Sequence, residues 1–158
     1  MTSVRLATAA DHVALASLFE EMQEHYGVFC PPRATILANL ANVPAGVEIL
    51  VADAGSIVGF AAFSAIYPGP GLGSGLFLKE LFVSKNFRGN GAGRRLIHAV
   101  AGIALQRGHQ RLDWTADMNN PRALKFYESL GALAQREKVF YRLGHQALGS
   151  LASSEKSS

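Results

Sequence analysis

The residues with the clearest chemical meaning are three glycines at alternate positions behind an arginine, in Arg88-Gly89-Asn90-Gly91-Ala92-Gly93. An apolar run at residues 76–83 precedes them, and apolar residues recur at helical spacing over residues 94–107. The pattern predicts a glycine turn between a strand and a helix. Because the first N–H groups of a helix lack partners within it and carry partial positive charge, phosphate is a natural ligand there.

Two common phosphate motifs do not fit this turn. A P-loop has a lysine and then a serine or threonine after its last glycine, whereas Gly93 is followed by two arginines. A Rossmann turn has the spacing G-x-G-x-x-G, and counting from Gly89 or from Gly91 finds no third glycine in register. What remains is R-x-x-G-x-G, formed by Arg88, Gly91 and Gly93.

A second segment, NPRALKFYESLGA at residues 120–132, fits the pattern N-x-x-A-x-x-F-Y-x-x-x-G-A/F. In this order, the two segments resemble the GNAT superfamily of N-acetyltransferases, whose R-x-x-G-x-G loop binds the pyrophosphate of acetyl-CoA. With the strand before the turn, the resemblance spans residues 76–132. It implies that acetyl-CoA is the co-substrate.

The resemblance also implies roles for individual residues. The segment from Arg88 to Arg94 would hold the pyrophosphate, and the backbone of Leu81, Phe82 and Val83 would pair with pantetheine. The N–H of Val83 would stabilise the oxyanion that forms during acyl transfer. The remaining cofactor contacts would come from Asn120, Ala123 and Tyr127, which lie along one face of a short predicted helix.

Tyr127 is predicted to be the general acid for the departing CoA thiolate. A phenol with a pKa near 10 is protonated at neutral pH and can donate this proton. Without the linked motif, a tyrosine beside Phe126 would be a core residue.

Candidate acceptor residues lie in two other places. Strand alternation puts Glu80 on the same face as Leu78 and Phe82, where burial would raise its pKa and favour a general base. A structural ion pair or a carboxylate that positions the substrate is an equal alternative for Glu80. Glu24 and Tyr26 end the first predicted helix and could recognise a cationic amine, although a solvated helix face also explains the acidic residues there.

Charge is distributed unevenly along the chain. Residues 1–84 contain seven acidic and three basic residues, whereas residues 85–158 contain five acidic and twelve basic residues. The resulting positive field suits a polyphosphate ligand and would also suit nucleic acid. Residues 85–112 contain a single aromatic residue, Phe87, for stacking bases, so we expect no nucleic-acid partner. The acidic half would suit a cationic acceptor.

Length and composition predict one packed domain, since the chain has 158 residues of which 49% are apolar. No leader-like N-terminus and no apolar stretch of about 18 residues is seen, so we expect a cytoplasmic protein without a membrane partner. The five histidines have no paired metal-ligand spacing, so no metal is expected, and the single cysteine, Cys30, excludes an internal disulfide framework.

The patterning predicts an α/β fold, similar to GNAT proteins: a mixed, splayed central sheet of about six to seven strands with helices on both faces. Residues 1–145 would form a single acetyltransferase domain, residues 68–75 a flexible loop over the site, and residues 146–158 a disordered tail. Strands are predicted at residues 3–7, 48–53, 57–67, 76–83, 111–115 and within 133–143, and helices at 9–26, 34–42, 91–107 and 121–130. The first helix would begin with a capping box of Thr8 and Asp11 and end at Gly27, and the last would have Asn120 as N-cap and Pro121 as its first residue.

The favoured hypothesis is an N-acetyltransferase that moves the acetyl group of acetyl-CoA to a primary amine by direct attack on the thioester. The acceptor would be a small-molecule or protein amine. Because homodimers are common in the GNAT superfamily, the resemblance also allows a homodimer. A second hypothesis is a non-catalytic CoA-sensing or interaction module on the same fold. A third is a nucleic-acid-binding domain, which would bind in a salt-dependent way.

Overall fold

A computed structural model describes residues 1–154 of the chain. They form two compact units, Met1–Thr115 and a second that begins at Ala116. Strands are β1 (Ser3–Leu6), β2 (Val47–Asp53), β3 (Ile57–Ile66), β4 (Gly75–Val83) and β5 (Leu112–Asp113). Helices are α1 (His12–Tyr26), α2 (Arg33–Ala41), α3 (Ala92–Gln106), α4 (Pro121–Ser129) and α5 (His145–Ser153). Short 3₁₀ turns lie at Ala9–Asp11, Pro70–Leu72 and Lys85–Phe87.

The first unit is built on one mixed sheet with strand order β1-β2-β3-β4-β5. The first three pairs are antiparallel, and β4 pairs with β5 in parallel. The predicted α/β class is therefore confirmed. The sheet has five strands within the described residues, fewer than the six to seven predicted.

Helices cover both faces of this sheet. Leu15 of α1 and Ile36 of α2 pack with Phe60 in one buried cluster. Adjacent strand residues point to opposite faces, so Gly59 faces the other side. There, Leu96 of α3 lies 3.4 Å from the position that a Cβ on Gly59 would take. That same Cβ would lie 2.9 Å from the backbone oxygen of Phe82, so the sheet requires glycine at this position.

Local signals set the beginning of α1. The N–H of Thr8 donates to the Asp11 carboxylate at 2.8 Å, which is the Asp11 bond of the predicted capping box. The N–H of Asp11 donates to the Thr8 carbonyl at 2.9 Å within the 3₁₀ turn. A 3₁₀ turn precedes the helix proper. Gly27, with φ 64°, ends α1 in the left-handed conformation that glycine favours.

The loop at residues 68–75, predicted as flexible, has defined internal bonds. The N–H of Leu72 donates to the Gly69 carbonyl at 3.1 Å, and the Ser74 hydroxyl bonds to Nδ1 of His109 at 2.8 Å. The N–H of Gln110 donates to the Ser74 carbonyl at 2.9 Å. The two bonds of Ser74 attach the loop to the segment between α3 and β5.

The second unit consists of α4, an extended segment and α5. The Asn120 side chain accepts the N–H of Ala123 at 3.1 Å, which makes Asn120 the N-cap of α4, and Pro121 occupies the first turn, as predicted. The helix ends before Gly131, which has φ 88°.

Two predictions for the C-terminal part differ from the structure. Residues 133–143 form no strand, because β-rich composition yields a strand only where a ladder partner is available. Their backbone makes a local bond instead, from the N–H of Lys138 to the Gln135 carbonyl. Helix α5 occupies most of the predicted disordered tail, since Ala, Leu and Gln favour helix. The last four residues of that tail lie outside the described part of the chain.

No helix within residues 1–154 has both the length and the apolar composition needed to cross a membrane.

Candidate active site

The glycine turn adopts the backbone conformation that only glycine accepts readily. Gly89 and Gly91 have φ of 81° and 83°, and Gly91 is the residue directly before α3. Helix α3 begins there without a side-chain cap. Its first N–H groups, including that of Gly93, have no acceptor within the helix. The turn thus presents a glycine-rich helix N-terminus, which suits a phosphate group.

Strand β4 has an open edge next to this turn. Its ladder with β5 consists of Leu76–Leu112 and Phe77–Asp113, and no strand among the described residues continues it toward Val83. The N–H of Ser84 donates to the Val58 carbonyl of β3 at 2.8 Å. Because the backbone groups of successive strand residues face opposite sides, those of Val83 face the open edge.

This geometry suits the predicted roles of Leu81 and Val83. Leu81 lies two residues before Val83, so its backbone groups face the same open edge. The Phe82 side chain is buried and packs on Phe60 with 6.3 Å between ring centroids, so any contact of Phe82 with a cofactor would come from its backbone. The role of Val83 N–H as an oxyanion donor stays a prediction.

Arg88 makes contacts that the sequence did not predict. Its Nε donates to the Val83 carbonyl at 2.8 Å, and its guanidinium carbon lies 5.2 Å from the centroid of the Phe82 ring. Such a position over an aromatic face is a cation–π contact. Arg88 therefore holds the end of β4, and its predicted contact with pyrophosphate, like that of the exposed Arg94, remains a prediction.

A β-bulge changes the expected orientation of Glu80. On β3, Ala62 opposes Glu80 and the next residue, Phe63, opposes Leu78, so Lys79 is an extra residue in β4. Glu80 consequently shares a face with Phe82, as predicted, but not with Leu78. The Glu80 side chain is only partly buried, with 31% of it exposed, and it pairs with Lys79 at 3.1 Å.

The end of α1 lies near the same part of β4. Partial burial and the nearby Glu80 carboxylate raise the pKa of Tyr26, while Arg88 opposes the rise. About half of Tyr26, 51%, is still exposed. The ring of His25 lies 6.2 Å from that of Phe82. The fold thus brings together Tyr26, Glu80 and Arg88, while Glu24 is exposed on the same helix.

Three further predicted residues belong to the second unit. Asn120, Ala123 and Tyr127 follow one another at intervals of three and four along α4, so they share a helical face. Asn120 uses its side-chain oxygen as a helix cap, and the ring of Tyr127 lies 5.4 Å from that of Phe126. Their roles toward CoA and its thiolate stay predictions.

The sequence did not indicate one contact of this site. Oε1 of Glu21 in α1 accepts the N–H of Lys85 at 2.8 Å and the hydroxyl of Ser84 at 3.1 Å. The partners lie 64 and 63 residues from Glu21 along the chain, so no local pattern could have predicted the pairing.

No group of three His, Cys, Asp or Glu side chains within residues 1–154 is arranged to hold a metal ion.

Comparison with known proteins is consistent with this geometry. The model of the acetyltransferase (GNAT) family matches residues 14–132. The chain therefore belongs to the GNAT acetyltransferase family, and the predicted resemblance is confirmed. The match includes both the glycine turn and α4.

Two relatives in sequence and one in structure are similar to this chain. An L-ornithine N5-acetyltransferase of Arabidopsis thaliana is 32% identical over 95 residues, which are 60% of this chain and 42% of that protein. The uncharacterized N-acetyltransferase YhfO of Bacillus subtilis is 28% identical over 82% of this chain and 88% of its own length. An integron cassette protein from the mobile metagenome of V. cholerae has a TM-score of 0.87 and 33% identity, covering 97% of this chain and 98% of its own.

Proposed function

We propose that this protein transfers the acetyl group of acetyl-CoA to a primary amine by direct attack of the amine on the thioester. The observation that carries the proposal is the open edge of β4, which ends beside the glycine turn Gly89–Gly91 at the start of α3. A strand edge without a neighbouring strand suits pantetheine, and the helix N-terminus suits pyrophosphate. Membership of the GNAT family supports the same co-substrate.

In the proposed reaction, a C–N bond forms as the C–S bond of the thioester breaks. The uncharged amine attacks the carbonyl, and the N–H of Val83 stabilises the oxyanion. The amine loses a proton to a base, for which Glu80 is the candidate, directly or through water. Tyr127 donates a proton to the departing thiolate, so that CoA leaves as a thiol.

We further propose a cationic primary amine as the acceptor. Tyr26 and Glu80 are close enough for the Glu80 carboxylate to raise the pKa of the phenol, and they can offer oxygen ligands to an ammonium group. The Arabidopsis relative is named for acetylating N5 of ornithine, which supports testing amino-acid side-chain amines first.

The direct experiment measures thiol release from acetyl-CoA with a panel of diamines, amino acids, aminoglycosides and peptides. We expect release with at least one cationic primary amine. Tyr127→Phe should lower kcat by about 100-fold, the low end for general acid catalysis, with the affinity for CoA unchanged. Tyr141→Phe, at a tyrosine that is 86% exposed, is the matched control and should retain full turnover.

Two outcomes would contradict the proposal. Tight CoA binding without thiol release across the panel would favour the non-catalytic module. Equal turnover of Tyr127→Phe and wild type across pH would remove Tyr127 as the acid.

A further inference from the structure

The segment between β4 and the glycine turn is attached to α1 by one side chain. Oε1 of Glu21 accepts the backbone N–H of Lys85 at 2.8 Å and the hydroxyl of Ser84 at 3.1 Å. Both donors belong to the short connection that leads into Gly89. Hydrogen bonds to an ionised carboxylate are stronger than bonds between neutral groups.

Two further contacts attach this connection to the strands. The N–H of Ser84 donates to the Val58 carbonyl of β3, and Nε of Arg88 donates to the Val83 carbonyl of β4, both at 2.8 Å. These contacts fix the connection relative to its own strands. Glu21 adds a contact from the helical layer, which fixes the direction in which the chain leaves β4.

We propose that Glu21 is a positioning residue for the acetyl-CoA loop, an inference that rests on the proposed function. By holding Ser84 and Lys85, it sets where the chain enters the turn at Gly89 and Gly91. A loop that is already in its bound conformation spends less free energy on ordering when the ligand binds. Removal of the carboxylate should therefore weaken the affinity for CoA.

The same contact also relates the proposed acetyl-CoA loop to the proposed binding site of the amine. Tyr26 lies five residues beyond Glu21 on α1, about 7.5 Å along the helix axis. Since α1 is a continuous helix, Glu21 fixes the position of Tyr26, which would contact the amine, relative to the loop that would hold acetyl-CoA. Loss of Glu21 should thus also raise KM for the amine, but less than KM for acetyl-CoA.

The first test compares Glu21→Ala and Glu21→Gln by calorimetric titration with CoA. We expect Glu21→Ala to weaken CoA binding about tenfold, or about 1.4 kcal/mol. The amide oxygen of Glu21→Gln can still accept both bonds, so its affinity should stay within about twofold of wild type. Glu48→Ala removes a carboxylate that pairs with Arg107 and is the control expected to bind CoA normally.

The second test approaches the contact from the loop. Lys85→Pro removes the N–H that Glu21 accepts, and the backbone tolerates proline there because Ser84 has ψ 139° and Lys85 is the first residue of its 3₁₀ turn. Lys85→Ala keeps the N–H and removes the charge. The ratio of the two CoA affinities isolates the hydrogen bond and should be about fivefold. In the Glu21→Ala background this ratio should fall to about one.

These outcomes separate Glu21 from a purely structural role and from the proposed function. Normal CoA binding by a folded Glu21→Ala would overturn the inference, and so would Glu21→Gln binding as weakly as Glu21→Ala. If Glu21→Ala does not fold, equal affinities of Lys85→Pro and Lys85→Ala would overturn it. Failure of the wild-type protein to bind CoA would instead contradict the proposed function.

Discussion

The two units of this protein differ in how they are stabilised. The first unit, Met1–Thr115, contains a buried core, with Phe60 and Leu96 almost inaccessible to solvent. In the second unit, none of the described residues from Ala116 to Ser154 is buried. Large apolar side chains there are exposed instead: Leu133, Val139, Phe140, Tyr141, Leu143, Leu148 and Leu151.

Because of this difference, the buried core and part of the proposed catalytic machinery lie in different units. The glycine turn, the open edge of β4 and the proposed acceptor-binding residues belong to the unit with its own core. Tyr127, the proposed acid, belongs to the unit whose side chains are not buried. Substitutions in the core of the first unit should therefore lower stability, whereas those in the second should change turnover with little effect on stability.

The largest expected effect comes from a matched pair of phenylalanines. Phe60→Ala should lower the free energy of unfolding by about 3–5 kcal/mol, because removal of the buried ring would leave a cavity. Phe140→Ala, at a ring that is 66% exposed, should change it by less than about 0.5 kcal/mol. Denaturant unfolding of both variants measures the difference. A large loss for Phe140→Ala would mean that this ring is covered in solution, and the contrast between the units would fail.

The next effect distinguishes backbone strain from ligand binding within the first unit. Gly91→Val and Gly46→Val both force a β-branched residue into positive φ, at 83° and 86°. We expect Gly91→Val to weaken CoA binding at least about 100-fold, because backbone and ligand can no longer approach closely. Gly46→Val should lose stability alone. Calorimetric titration with CoA and thermal unfolding measure the two effects, and normal CoA binding by Gly91→Val would contradict the proposed cradle.

The smallest effect concerns the start of α1. Asp11 is buried and accepts two bonds from the Arg5 guanidinium at 2.7 and 2.9 Å, and Arg5 holds the pKa of Asp11 well below its ordinary value. The resulting stability is present above the unfolded pKa of about 3.9 and is lost as pH falls further. Asp11→Asn should therefore cost about 1 kcal/mol at pH 7 and less at pH 3. Urea unfolding at both pH values measures this, and an equal cost at both would contradict the ionic origin.

Much of the fold could be predicted from local sequence patterns. The capping box at Thr8, the helix end at Gly27, the glycine turn and the cap at Asn120 all depend on residues within about one helical turn of each other. The predicted strands 2 to 4 and the helix after the turn were confirmed to within one residue at each end. The family resemblance rested on the same short patterns.

The features that were predicted wrongly depend on distant parts of the chain. The bulge at Lys79 reverses the face of Leu78 relative to Glu80, and alternation alone cannot reveal an extra residue in a strand. Residues 133–143 have the composition of a strand without a ladder partner. The exposed fraction of Glu80 is set by the elements that pack against β4, which its apolar neighbours in sequence do not reveal.

The sequence by itself determined the glycine turn, the start of α3 and the family, because backbone preference and helix capping act over a few residues. The tertiary structure alone decided that β4 has an open edge beside that turn, that Arg88 holds Val83, and that Glu21 reaches Lys85 across 64 residues. Those contacts depend on how helices and strands pack, a long-range property that local spacing does not encode.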